Sequence, residues 1–145
     1  MTSKEIFKNR NSVWPLTLLL LNICASILHY ADNLLYFDAY PEPAWFSPFL
    51  TDSIWFVMTP LGMAGFWFYV QKKYRIAYFG LYSYVLLSQL TLSHYLISPI
   101  WELSLKMNML ILLESFMAIP LFVFLLWSQL ILKESQYSSW DQTEI

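Results

Sequence analysis

Charged side chains are scarce in this chain, and cysteine, histidine and glycine are scarcer still. Charged residues make up 12% of the 145 residues and the formal net charge is only −2, which leaves no basic stretch suited to a nucleic acid backbone. The single cysteine, Cys24, excludes an intrachain disulfide. With 3 glycines and 7 prolines the chain is neither low-complexity nor collagen-like. No nucleotide-binding loop and no serine or cysteine nucleophile motif is present.

Apolar and aromatic residues are correspondingly abundant. Hydrophobic residues make up 58% of the chain and aromatic residues 19%, far above the composition of a soluble domain. Many aromatic side chains stand at the ends of apolar runs: Trp14, Tyr30, Tyr36, Tyr40, Trp45, Trp101 and Trp140. Amphipathic rings favour the boundary between lipid and water. The composition therefore predicts an integral membrane protein.

Four apolar segments are long enough to cross a bilayer, which takes about 20 residues of helix. They run over about 13–35, 51–70, 76–97 and 104–132, and Thr51 or Asp52 is a suitable cap for the second. The short connections favour antiparallel neighbours. The sequence thus predicts an all-α, four-helix transmembrane domain over 13–132, with a cytoplasmic N-terminal segment at 1–12 and a cytoplasmic tail at 133–145.

Lysine and arginine set the predicted orientation. One side of the four spans holds seven of them: Lys4, Lys8, Arg10, Lys72, Lys73, Arg75 and Lys133. The other side holds Lys106 alone. Positive residues favour the cytoplasmic side, so we expect both termini there. The bacterial inner membrane and the endoplasmic reticulum both fit this pattern.

Ionisable residues within or beside the spans all fall in the non-cytoplasmic half. They are His29, Asp32, Asp52, His94 and Glu114. Such a residue costs about 2.5–3.5 kcal/mol on insertion scales and is a functional candidate by default. We therefore expect one cavity, open toward the non-cytoplasmic side, to contain them. A structural role is the alternative for each residue: a solvated interfacial pair for His29 and Asp32, a helix cap for Asp52 and an interhelical hydrogen bond for His94.

Helical spacing assigns polar residues to shared faces. In the first span the 4-3-4 spacing of one helix face joins Asn22, Ser26, His29 and Asn33. Asp32 is three residues from His29, so we expect it on the same face. In the third span a similar spacing joins Ser88, Thr91, Tyr95 and Ser98. His94 falls on a neighbouring face of that helix.

One stretch of the chain resembles a known family. The string Pro43-Ala44-Trp45-Phe46-Ser47-Pro48-Phe49-Leu50 stands between acidic Asp32 and acidic Asp52, and Ile119-Pro120 lies in the last span. These features resemble the EXPERA family, which includes the sigma-two receptor and the emopamil-binding protein, a sterol isomerase. The resemblance covers about residues 14–132, and its specific part is short.

The resemblance implies a hydrophobic cavity that binds a membrane lipid or another hydrophobic small molecule of sterol or isoprenoid type. In a double-bond isomerisation, Glu114 or Asp32 would be the acid and His29 or His94 the proton acceptor. The faces of Trp55 or Tyr95 would stabilise the carbocation. Asp52 and Asn33 complete the expected ligand-binding set, and a cationic ligand would pair with Asp32 or Asp52. No cofactor and no metal is expected for this function.

Two other classes of function stay open at this stage. His29, Asp32, His94 and Glu114 have the ligand types for zinc or iron, and the two histidines suit the axial positions of a haem or chlorin. A non-enzymatic accessory subunit of a larger membrane complex, or a homodimer, also fits the aromatic-rich composition. Whether the protein is an enzyme is not decided by the sequence.

Overall fold

The fold is all-helical in the computed structural model, which describes residues 10–134. Four main helices occur: α1 (Arg10–Leu35), α2 (Pro48–Val70), α3 (Tyr74–Gln89) and, after a short helix α4 (His94–Ile97), α5 (Leu105–Leu130). Two 3-10 turns, Phe37–Ala39 and Leu90–Ser93, complete the described elements. The predicted number of helices is confirmed. Most of the predicted terminal segments, 1–12 and 133–145, lies outside the described residues.

Three of the helices are long and apolar enough to cross a membrane. They span Ser12–Leu35 (24 residues), Pro48–Val70 (23 residues) and Leu105–Leu130 (26 residues). Large apolar side chains cover their outer faces and that of α3; Phe79 is 71% exposed and Leu105 is 79% exposed. Such surfaces are compatible with an integral membrane protein, because they contact lipid without the cost of exposure to water.

The second helix begins earlier than the sequence indicated. Pro48 occupies its first turn, where a missing N–H is harmless, and the Ser47 hydroxyl accepts a hydrogen bond from the Leu50 N–H at 3.4 Å. Ser47 is therefore the cap, and the prediction of Thr51 or Asp52 in that role was wrong. In α5 the equivalent cap is Ser104, whose hydroxyl accepts from the Met107 N–H at 3.2 Å.

The third predicted span is not one continuous α-helix. After Gln89 the chain winds as a 3-10 helix over Leu90–Ser93 and returns to α-helix at His94. A 3-10 helix has three residues per turn, so residues three apart lie above one another. Thr91 and His94 therefore share a face, and Tyr95 turns toward a second apolar cluster with Tyr40 and Met107. The regular spacing predicted for Ser88, Thr91, Tyr95 and Ser98 fails at this turn.

The four main helices pack as a ring in the order α1, α2, α3, α5, with α5 also against α1. The core of this ring combines apolar side chains from all four helices, among them Leu19, Met58, Leu81 and Leu121. Helices α2 and α3 approach closely where Gly65 faces Gly80. A Cβ on Gly65 would lie 2.8 Å from the Leu81 backbone nitrogen, so small residues are what allow this contact.

Gly65→Ala should destabilise the protein by about 1–3 kcal/mol, because backbone atoms cannot yield as a flexible side chain does. Thermal unfolding in mild detergent measures the effect. Ala64→Val is the matched control, since Ala64 is exposed on the same helix. Equal stability of Gly65→Ala and the wild type would show that α2 and α3 do not approach as closely as described.

Candidate functional site

A buried acid–histidine pair joins the first and last helices. His29 Nδ1 lies 2.6 Å from Glu114 Oε2, and the side chains are 3% and 0% exposed. At that distance and depth the two groups share a strong hydrogen bond. A carboxyl group in an apolar interior needs such a partner, whether it is ionised or protonated. The pair therefore explains how Glu114 is tolerated in a long apolar helix.

A polar network extends from this pair to other side chains within the ring of helices. Ser88 Oγ lies 3.2 Å from Glu114 Oε1 and 3.2 Å from Asn22 Oδ1, so its single proton serves one of them at a time. Tyr84 donates to Asn22 Oδ1 at 2.6 Å. Asn22 in turn donates to the Glu114 backbone carbonyl at 3.1 Å. The network holds Glu114 in place from two neighbouring helices.

The geometry of His29 leaves one ring nitrogen available. Nδ1 is occupied by Glu114 and lies 3.1 Å from the Thr91 hydroxyl. Nε2 is buried and has no hydrogen-bond partner among the described residues. With one proton on the pair, held at Nδ1, Nε2 is a bare acceptor; with a second proton, Nε2–H is a donor. His29 can therefore take a proton from, or give one to, a molecule beside it.

His94 is held in a similar way on the facing element. Its Nδ1 lies 3.2 Å from the Pro41 carbonyl, which can only accept, so Nδ1 carries the proton. The rings of His29 and His94 meet edge to face with their centroids 5.5 Å apart. Two imidazoles thus lie side by side, each fixed through Nδ1, and Nε2 is the nitrogen of each that can exchange a proton.

The loop between α1 and α2 closes one end of the site. Asn33 donates to Glu42 Oε1 at 2.8 Å, and the same oxygen lies 3.8 Å from His94 Nδ1. Tyr40 is buried against both imidazoles and donates to Asp32 Oδ2 at 2.8 Å. Burial, with this hydrogen bond, raises the pKa of the Tyr40 phenol, so it remains a donor throughout the physiological range.

A cavity of about 420 Å³ opens beside these groups. Most of its surface is apolar, and its lining includes Tyr30, Trp45, Phe46, Ile54, Leu90 and Ile97. Its polar lining residues are His29, Asn33, Glu42, Thr51, Thr91, Ser93 and His94. This combination of a mainly apolar concave surface with a few oriented polar groups is typical of a small-molecule site.

The structure brings together some of the predicted site residues and separates others. His29, His94 and Asn33 line the cavity, and Glu114 stands behind His29. Asp32 points away from the pair, toward Lys106 Nζ at 2.8 Å.

The other three predicted residues lie elsewhere. Asp52, Trp55 and Tyr95 are not among the residues that line the cavity. Trp55 packs against the main core, and Tyr95 packs with Tyr40.

Three contributors to the site were not singled out from the sequence. They are Tyr40, Glu42 and Thr91. Glu42 stands between Pro41 and Pro43, and two flanking prolines restrict where the carboxyl group can point. That pattern is the one local signal that distinguishes it from other acidic residues in the outer loops. Tyr40 and Thr91 give no comparable signal, because their roles depend on contacts with distant helices.

A multidentate metal site finds no support in the geometry. Within residues 10–134, no group of three or more His, Cys, Asp or Glu side chains is arranged to hold a metal ion. Asp32, one of the four ligands considered above, is engaged by Lys106 and Tyr40 instead.

Comparison of the chain with protein-family models, with curated proteins and with solved structures finds no match.

A double-mutant cycle tests the coupling of the buried pair. Glu114→Leu and His29→Leu should each be strongly destabilising, because each leaves a buried polar partner unsatisfied. The double variant should lose less unfolding free energy than the two single variants lose together. The difference, measured by unfolding in detergent, should be about 1–3 kcal/mol. The neutral Gln89–Ser115 pair, which joins α3 to α5 at 2.7 Å, is the control and should couple more weakly. Additive effects at 29 and 114 would contradict a direct hydrogen bond.

Proposed function

We propose that this protein binds a hydrophobic, lipid-like molecule within the membrane and exchanges protons with it. The observation that carries the proposal is that His29, whose Nε2 has no hydrogen-bond partner in residues 10–134, lines the mainly apolar 420 Å³ cavity. An apolar cavity selects an apolar ligand by burial. A buried imidazole held by a carboxyl group is suited to general acid–base chemistry.

Double-bond isomerisation is the reaction that these groups fit best. It needs a proton added at one carbon and another removed from a carbon nearby, with no oxidant or reductant. His29, paired with Glu114, can deliver one proton through Nε2, and His94 can accept the other through its own Nε2. Glu114 would then act through His29 rather than directly on the ligand. Asp32 has no role in this mechanism because it faces Lys106.

The EXPERA resemblance supports the same function, since that family includes a sterol isomerase. Part of the resembling string lies at the site: Pro43, Trp45 and Phe46 line the cavity. Residue roles differ from those that the resemblance implies, because the acidic pair of that comparison, Asp32 and Asp52, does not line the cavity. On this proposal a sterol or isoprenoid lipid is the ligand.

A binding function without turnover is the second candidate. It is favoured by the loop contacts Asn33–Glu42 and Tyr40–Asp32, which close one end of the cavity without adding a reactive group. The protein would then present its ligand to a partner in a membrane complex.

We further propose that four spans cross the bilayer with both termini in the cytoplasm. The lysine and arginine distribution supports this orientation. In a Cys24→Ser background, Glu102→Cys should react with an impermeant maleimide in intact cells or sealed right-side-out vesicles, whereas Lys73→Cys should react only after permeabilisation. Both side chains are exposed, so accessibility to solvent is matched. The reverse labelling pattern would overturn the orientation.

Co-purification tests the binding proposal directly. Protein purified in mild detergent should carry an apolar molecule in near-stoichiometric amount, identified by mass spectrometry of a denatured extract. Ile54→Trp should reduce that amount at least tenfold, since Ile54 lines the cavity. Ile76→Trp, at a 53% exposed position on α3 outside the lining, should retain it.

Equal amounts on both variants, or an empty wild-type extract, would contradict the binding proposal. A haem or chlorin would support axial ligation by His29 and His94 instead. With the molecule identified, incubation in D2O separates the two functional candidates: the isomerase should incorporate deuterium into it, and His29→Gln should not.

A further inference from the structure

One carboxyl group at the site has no part in the proposed reaction. Glu42 lies in the loop between α1 and α2, and its side chain is 11% exposed. Its Oε1 accepts a hydrogen bond from Asn33 at 2.8 Å and lies 3.8 Å from Nδ1 of His94. A carboxyl group that is held beside an imidazole and is still partly accessible is suited to pass protons between that imidazole and water.

His94 links this carboxyl group to the buried pair. Its ring meets the ring of His29 edge to face, with the centroids 5.5 Å apart, and Glu114 stands behind His29. The titratable groups that face His94 are Glu42 and Tyr40 from the loop and His29 from α1. Ionisable side chains therefore follow one another from the loop to the middle of the ring of helices.

The opposite side of the pair is closed by apolar side chains. On α5, Ser115 and Ser128 are buried, and the buried residues between them are all apolar: Ala118, Leu121, Phe124 and Leu125. This stretch is about 20 Å long at 1.5 Å per residue. Leu19 of α1 and Leu81 of α3 belong to the same apolar cluster, and both are 0% exposed. Transfer of a proton through such a layer is costly, because no polar group there carries it.

Asp32, the other carboxyl group near the site, is not connected to the imidazoles in this way. Its Oδ1 lies 2.8 Å from Nζ of Lys106, and its Oδ2 accepts from the Tyr40 hydroxyl at 2.8 Å. Burial raises the pKa of the Tyr40 phenol, so this group keeps its proton. A proton on Asp32 therefore has no route through Tyr40 to the histidines, whereas Glu42 lies directly beside one of them.

We propose that Glu42 and His94 form the path by which the His29–Glu114 pair exchanges protons with water, and that Glu42 is its entry. The path opens at the end of the bundle that carries the α1–α2 loop, which is the non-cytoplasmic side in the proposed orientation. This inference rests on the proposed function for the use of the protons. It names their source, which the deuterium incorporation expected of an isomerase requires.

The transfer needs only N–H and O–H bonds to form and break. When His94 accepts a proton at Nε2, the resulting imidazolium can release the proton on Nδ1 to Glu42, which passes it to water. The Pro41 carbonyl also faces Nδ1, at 3.2 Å, but it accepts a hydrogen bond without taking the proton. The same steps in reverse carry a proton inward.

Exchange of the His29 side-chain N–H proton with water tests the path. The chain has 2 histidines, so histidine-selective 15N labelling lets NMR in lipid nanodiscs follow this proton without added ligand. Glu42→Gln should slow the exchange at least about tenfold, because an amide cannot carry the proton. The glutamine keeps an oxygen that can accept from Asn33, so the loop should remain in place. Glu42→Asp should retain fast exchange, and His94→Gln should slow it as Glu42→Gln does.

Two control variants should exchange at the wild-type rate. Glu102→Gln removes an exposed carboxyl group from the other loop at the same end of the bundle. Tyr84→Phe removes a hydroxyl group that donates to Asn22 from within the apolar cluster. The 15N chemical shifts of His29 should be the same in Glu42→Gln and the wild type, because a proton path alters the rate of exchange and not its equilibrium.

The remaining outcomes separate this path from the proposed function. Wild-type exchange in both Glu42→Gln and His94→Gln overturns the path and leaves ligand binding intact. Slowing by Tyr84→Phe but not by Glu42→Gln overturns it by moving the entry to the opposite end. Slowed exchange with altered His29 shifts in Glu42→Gln overturns it by making Glu42 a structural partner of the pair. The expected exchange rates, with no deuterium in a bound molecule, would support the path and contradict isomerisation.

Discussion

The hydrogen bond between His29 and Glu114 sets the arrangement around it. A carboxyl group in the middle of an apolar helix is costly unless nearby groups provide hydrogen bonds. In this protein the hydrogen bonds to the Glu114 carboxyl group come from two helices. His29 of α1 lies 2.6 Å from Oε2, and Ser88 of α3 lies 3.2 Å from Oε1. Asn22 then holds the Glu114 backbone and accepts from Tyr84. The packing of α1 and α3 against α5 around Glu114 thus follows from the hydrogen bonds that this one carboxyl group needs.

The same bond determines what the site can do. Occupation of Nδ1 by Glu114 leaves Nε2 of His29 without a hydrogen-bond partner in residues 10–134, and His29 lines a cavity whose surface is mainly apolar. The 3-10 turn at Leu90–Ser93 places Thr91 and His94 on one face, so a second imidazole meets the first. The loop between α1 and α2 completes the cavity through Glu42, which accepts a hydrogen bond from Asn33 of α1. A polar wall beside an apolar volume is the basis of the proposed proton exchange with a lipid.

Local patterns were sufficient to predict the helices and part of the site. Long apolar runs gave the four main helices, and the 4-3-4 spacing marked the face of α1 that carries His29 and Asn33. Spacing could not predict that Asp32, three residues from His29, turns to Lys106, because that contact spans 74 positions. Nor could it predict the 3-10 turn, since regular winding was assumed throughout the third span. Contacts between distant helices determined those features.

The central claim is that the cavity beside His29 holds an apolar molecule in the membrane. An experimental structure of the protein in lipid nanodiscs, prepared without added ligand, tests it most directly. The account predicts elongated density in the cavity, in contact with His29. A cavity closed by side chains, or filled only by water, would contradict it.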